Sequence, residues 1–142
     1  MPGARRNFES ELTLESKMNR MRDEMNRLRH TIISLVAEPY QIIVEPPYNF
    51  TRDQSRGWLN TVAHEIIGLT KPDADGKAAC PLCGDIANYA GSTGYEHPDG
   101  LHRHLTGSHN ASKCPVTYAA DGLRRVQHRE KFPNDYGPFG CD

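Results

Sequence analysis

The sequence contains no apolar run near the ~20 residues that a membrane-spanning helix requires, and its opening stretch MPGARRNFESELTL lacks the continuous apolar segment of a secretory leader. Cytoplasmic residence, and with it reduced thiols, is the expectation, and no membrane partner is implied. Hydrophobic residues make up only 37% of the 142, too few for a thick single core, so some further staple is called for. An excess of one charge is missing too: 17 Lys and Arg against 18 Asp and Glu leave a formal net charge of −1. Nothing draws the whole chain toward nucleic acid, although a local basic patch remains compatible with this balance. Cysteine is scarce, at Cys80, Cys83, Cys114 and Cys141. In a reducing compartment a close cysteine pair with histidines downstream reads as a metal site rather than as disulfides.

What is present begins with a helix. Leu14, Met18, Met21, Met25, Leu28, Ile32 and Leu35 are spaced alternately four and three apart, with charged and amide residues between them. That rhythm is a heptad seam and predicts a helix over about 9–36. So narrow a stripe suits a coiled coil, or a dock onto another protein through Met18, Met21, Met25 and Leu28, better than a broad globular face. Packing on the chain's own second helix is the plain alternative. With Leu14 at heptad position d, a parallel dimer sets Glu24 favourably against Arg29 but Lys17 unfavourably against Arg22, so these charges leave orientation open.

YQIIV at 40–44 is β-branched and closed by Pro46 and Pro47, which suggests a strand or an extended linker. Thr51 and Gln54 have the spacing of a capping box and open a second amphipathic helix with Trp58, Leu59, Val62, Ala63, Ile66 and Ile67 on its apolar face. The polar stretch KPDADGK marks a boundary near residue 75.

Cys80-Pro81-Leu82-Cys83-Gly84 has the two-residue spacing with which a tight knuckle grips one zinc through two thiolates. The segment from Pro98 to Gly107 reads as a short helix that carries His104, with twenty residues between it and Cys83, and after four more residues comes His109. This pattern resembles the Cys2His2 zinc finger, with Cys80, Cys83, His104 and His109 as ligands to a structural Zn2+. The stretch between Cys83 and His104 is longer than the usual ~12 residues, and the finger occurs once rather than in tandem. The knuckle together with GLHRHLTGSHNASKCPV also resembles small zinc-finger proteins of bacteriophages and mobile elements, over residues 80–116. That resemblance brings Cys114 into play as the alternative fourth ligand. It implies a small accessory protein, resident in the host cytoplasm if phage-encoded, that binds and modulates a host or phage complex such as a defence or transcription machine.

The expected architecture is therefore mainly α: an N-terminal coiled-coil helix in 1–38, a strand or linker with an amphipathic helix in 39–75, a ββα-like zinc finger in 76–116, and a basic segment with a poorly ordered tail in 117–142. Four protein ligands leave zinc no open position for water, which argues for a scaffold and against an enzyme. His64-Glu65-Ile66-Ile67-Gly68 begins like a metalloprotease HExxH helix, but Gly68 stands where the second histidine belongs. His102, His104, His109 and Asn110 supply the residue types of an HNH nuclease without a second open metal set. A protein partner or self-association through the first helix is the leading reading. A nucleic-acid-binding regulator using Arg103, Arg124, Arg125 and Arg129 is the alternative, weakened by the near-neutral finger surface.

Overall fold

The computed structural model describes residues 2–47, 49–108 and 113–135, with residues 2–12 described by their backbone alone. His109, Asn110 and Cys141 lie outside the described residues. Helix α1 (Pro2–Ser34) is followed by two short helices, α2 (Tyr40–Val44) and α3 (Arg52–Arg56), and by α4 (Trp58–Leu69). A minimal hairpin pairs β1 (Lys77–Ala78) antiparallel with β2 (Tyr95–Glu96), in the register Lys77 to Glu96 and Ala78 to Tyr95. Helices α5 (Asp99–Thr106) and α6 (Pro115–Lys131) and a single 3-10 turn at Pro133–Asp135 complete the order. Among the described residues the chain is mainly helical with one small sheet, as expected.

Helix α1 is interrupted by no Gly or Pro beyond its first turn and runs for 33 residues, about 50 Å. Its C-terminal part is anchored: Ile33 and, just beyond the helix, Val36 enter the core and Asn26 and Arg29 are half-buried, while every side chain from Thr13 to Met25 is exposed. The seam residues Leu14, Met18, Met21, Met25 and Leu28 are 49–66% exposed. The alternative in which this stripe packs on the chain's own second helix is therefore not what the fold adopts. Helix α6 lies beside α1, and the approach is close: a Cβ on Gly122 would come within 2.6 Å of the Arg29 guanidinium.

Residues 40–44 form a helix, which corrects the strand or linker expected from their β-branched composition. Tertiary packing overrides a local preference of this size. Val44 is fully buried, and the Gln41 side-chain amide donates to the Ile33 carbonyl at 3.3 Å. The capping box at Thr51 is present, with Thr51 Oγ1 accepting from the Gln54 N–H and the Gln54 side chain accepting from the Thr51 N–H. Gly57 then breaks the expected single helix into α3 and α4. The apolar face of α4 is buried through Trp58, Val62, Ala63 and Ile66.

One core joins these elements. Val44, Trp58, Val62, Ile66, Leu101, Leu105, Val116, Ala120 and Leu123 pack with Ile33, and Cys80, Tyr95 and Cys114 belong to the same cluster. The finger is thus continuous with the helical core rather than a bead on a linker.

A polar node fastens α3 to the far end of α6. Ser55 Oγ lies 2.7 Å from His128 Nδ1 and accepts from Arg124 at 3.0 Å, while His128 Nε2 lies 2.7 Å from Asp135 Oδ2. Arg52 and Arg56 also bridge Asp135, at 3.0 and 3.4 Å. Loss of solvent contact raises the Asp135 pKa, but the hydrogen bond with His128 and the charges of Arg52 and Arg56 outweigh it and hold the carboxyl below the ordinary carboxylate value. A lowered folded-state pKa stabilises the fold above the unfolded value near 3.8, and that contribution disappears as pH falls through the folded value. Asp135→Asn is accordingly expected to be less stable than wild type at neutral pH. The two curves should converge below pH 3.8, and added salt should narrow their gap throughout. Urea unfolding from pH 7 to pH 3 checks this, and a gap that widens on acidification would contradict it.

Candidate metal centre

The knuckle is built by backbone constraint. Gly84 adopts a φ of +76°, a left-handed conformation in which a side chain would be strained, and its N–H donates to the Cys80 carbonyl at 2.8 Å. The Cys80 N–H in turn donates to the Asp85 carbonyl at 3.0 Å. This double closure turns both sulfurs inward. Gly94 is required for a different reason: a Cβ there would meet the Ala78 backbone at 2.5 Å, so only glycine lets the loop return to pair β2 with β1.

Helix α5 supplies the third donor. Pro98 precedes its first residue, and Gly107 ends it in the left-handed conformation expected of a C-terminal stop. Leu101, His104 and Leu105 form its buried face, all with zero exposure. Tyr95 stacks on the His104 ring at a centroid distance of 4.4 Å and an angle of 19°, and its hydroxyl donates to Asp85 Oδ2 at 3.2 Å. The imidazole is thereby fixed from β2, with Nε2 3.3 Å from the Cys83 sulfur.

The fourth donor in the cluster is Cys114, which precedes the first turn of α6. Its N–H donates to the His104 carbonyl at 3.0 Å, and Thr117 Oγ1 donates to the Leu105 carbonyl at 2.7 Å. Two backbone groups left over at the end of α5 are satisfied by the start of α6, which sets Cys114 over the knuckle. The ligand atoms of Cys80, Cys83, His104 and Cys114 all lie within 4.8 Å of one another.

The geometry fits a tetrahedral ion. Zn–S bonds of about 2.3 Å in a tetrahedron place two sulfurs about 3.8 Å apart, and Cys80 Sγ lies 3.8 Å from Cys114 Sγ. That separation is nearly double a disulfide bond, and these cysteines are free. The backbone also prepares thiolates. The N–H groups of Leu82 and Cys83 act on Cys80, that of Asp85 on Cys83, and those of Thr117 and Val116 on Cys114, each favouring the charged sulfur. Cys80 and Cys114 share a proton through their contact, so the Cys114 thiol is held well below its ordinary range and Cys80 well above. Burial raises the Cys83 thiol, and it raises the Tyr95 hydroxyl as well, aided by Asp85 and the cysteines. A cation removes the conflict, because it takes all three sulfurs as thiolates. The set is closed by four protein donors, which is the arrangement of a structural site.

The other candidate residues are scattered. Arg103 lies on α5 and lines a shallow cleft with Lys77, Tyr89, Tyr95 and Glu96. The Arg124 side chain is 13% exposed and is held by Asp121 and Ser55, so it is committed to the interior. Arg125 pairs with the same buried Asp121 at 3.0 Å. Arg125 and Arg129 line a cleft of about 690 Å³ between α1 and α6, together with Arg22, Arg29, Asp23 and Glu130. His64 lies on the exposed side of α4 with its ring against His102, whose Nε2 is 2.9 Å from Asn60 Oδ1.

Sequence reasoning did not find the Ser55, His128 and Asp135 chain, because its members stand 73 and 7 residues apart. The order imitates a hydrolase triad. Ser55, however, is only 1% exposed and already accepts from Arg124, so no substrate carbonyl can reach its oxygen. Its role is the fastening described above. No family model, curated protein or solved structure matches this chain.

Proposed function

We propose that this chain is a non-enzymatic binding protein, stapled by a structural zinc at Cys80, Cys83, His104 and Cys114, that engages a protein complex through the exposed seam of α1. The observation that carries the reading is the contrast within one helix. Its last turns are built into the core, while Leu14, Met18, Met21, Met25 and Leu28 stay 49–66% exposed in a regular stripe. An apolar row of this length on a rigid, anchored helix fits insertion into a groove or pairing with another helix. Methionines suit such a surface, since the flexible thioether adapts to its partner. The closed coordination set supports a scaffold role for the metal and offers no position for a reacting water. An accessory protein of the phage type, modulating a host or phage complex, is the biological form of this reading.

The double variant Met21→Asp, Met25→Asp provides the test. Both side chains are exposed, so the fold and its melting temperature should change little, while capture of a protein partner should fall at least tenfold. Equal recovery of the same partner by wild type and variant would refute the reading. A nucleic-acid-binding regulator is a second reading, favoured by the four arginines of the α1–α6 cleft. It requires DNA or RNA affinity that falls steeply with added salt.

A further inference from the structure

We propose that the α1 seam takes a second copy of this chain, paired antiparallel with Met18 of one copy packed against Met21 of the other. The inference rests on the reading of α1 as an interaction surface and names its occupant. With Leu14, Met21 and Leu28 at d, Met18 and Met25 occupy a. The flanking e positions are Glu15, Arg22 and Arg29, and the flanking g positions are Lys17, Glu24 and Thr31. Glu15, Lys17, Arg22 and Glu24 are all exposed, so their charges are available to whatever helix lies on the seam.

Orientation follows from pairing these flanks. In a parallel pair g of one helix meets e of the other, which sets Lys17 against Arg22 twice and Glu24 against Arg29 twice, so the terms cancel. Reversing one helix brings e against e and g against g, and a residues pack opposite d residues. In the register that layers Leu14 on Met25 and Met18 on Met21, Glu15 meets Arg22 twice and Lys17 meets Glu24 twice. All four pairs are opposite in charge. Sliding by one heptad instead sets Arg22 against Arg22 and Glu24 against Glu24, which offsets the two attractive Glu15 to Arg29 pairs that this slide forms. Like charges in such positions are destabilising, so the first register is selected.

The surroundings of α1 discriminate in the same sense. Arg22 is at the rim of the cleft that Arg29, Arg125 and Arg129 also line. The antiparallel register delivers the partner's Glu15 carboxylate to Arg22 on this rim, whereas the parallel one delivers the Lys17 ammonium to Arg22 along with the Glu24 carboxylate to Arg29. A seam of four layers is short, so the dimer is a reversible one whose population depends on concentration.

Sedimentation equilibrium of the full zinc-loaded chain tests the proposal, because Lys17→Glu has opposite consequences in the two orientations. In the antiparallel pair it turns two attractive contacts with Glu24 into repulsions and should weaken the dimer roughly tenfold. In a parallel pair it replaces repulsion from Arg22 by attraction and strengthens the dimer. Lys17→Glu with Glu24→Lys should restore the wild-type dissociation constant. Tightening by Lys17→Glu, or no change, overturns the proposed register. A wild-type chain monomeric up to about 1 mM overturns self-pairing altogether. The broader reading fails separately, when Met21→Asp, Met25→Asp leaves capture of a different protein partner unchanged.

Discussion

Cys114→Ser is expected to abolish tight zinc retention, whereas His109→Ala leaves one zinc per chain. The expectation rests on what holds Cys114. Cys114 is fully buried, its sulfur lies 3.8 Å from that of Cys80, and its backbone is tied to the last turn of α5. Structural zinc binding in small fingers contributes about 10–16 kcal/mol of apparent free energy, and a closed set distributes it over four donors. Removing one thiolate should therefore weaken retention at least roughly a thousandfold. The loss spreads beyond the metal, because Cys80, Tyr95 and Cys114 belong to the same apolar cluster as Leu101, Leu105 and Ile66. Chelation should accordingly lower the cooperativity of the entire thermal transition, with no separate finger transition remaining. Metal analysis after dialysis against a chelator, combined with calorimetry, reads both effects. Full zinc in Cys114→Ser together with its loss in His109→Ala would reverse the assignment of the fourth donor.

The identity of that fourth donor marks where local pattern stops being informative. The knuckle at Cys80 and Cys83, the glycine after it and the helix from Pro98 to Gly107 are short-range features, each set by residues within a turn of one another. They were legible, as were the heptad spacing of α1 and the capping box at Thr51. While His109 lies outside the described residues, the placement of Cys114 beside the knuckle depends on how α6 returns to the end of α5. That is decided by Thr117 bonding to Leu105 and by Val116, Ala120 and Leu123 filling the core. Spacing alone favoured His109 because it completes the commoner finger pattern. The segment at 40–44 illustrates the same limit from the other side. Its β-branched residues suggest a strand, yet no sheet edge lies beside it among the described residues, and burial of Val44 under α4 and α6 is better served by one helical turn. The node of Ser55, His128 and Asp135 carries no local signal, since its hydrogen bonds join α3 to the end of α6 and the turn beyond.

A comparison of two leucines separates the part of the molecule that stabilises from the part proposed to engage a partner. Leu101 and Leu28 both sit on helices with an apolar rhythm, but Leu101 is fully buried and Leu28 is 61% exposed. Leu101→Ala removes side-chain atoms from a site enclosed by the finger and the helical core, directly beneath the helix turn that carries His104. Truncations of this kind cost about 2–5 kcal/mol, the transfer term plus the cavity that surrounding groups fail to close. For a chain of this size that corresponds to a fall in melting temperature of roughly 10 °C. None of the four donors is altered, so folded Leu101→Ala should still carry one zinc, which distinguishes lost packing from lost coordination. Leu28→Ala should leave the monomer within about 0.5 kcal/mol of wild type, as surface truncations do. Its effect belongs to engagement of a partner by the exposed stripe instead, read by partner capture and not by melting. If Leu28→Ala proved as destabilising as Leu101→Ala under dilute, monomeric conditions, the seam would be part of the fold and not a surface held out for a partner. Thermal melts of both variants at low concentration, each with its zinc content measured, decide between these outcomes.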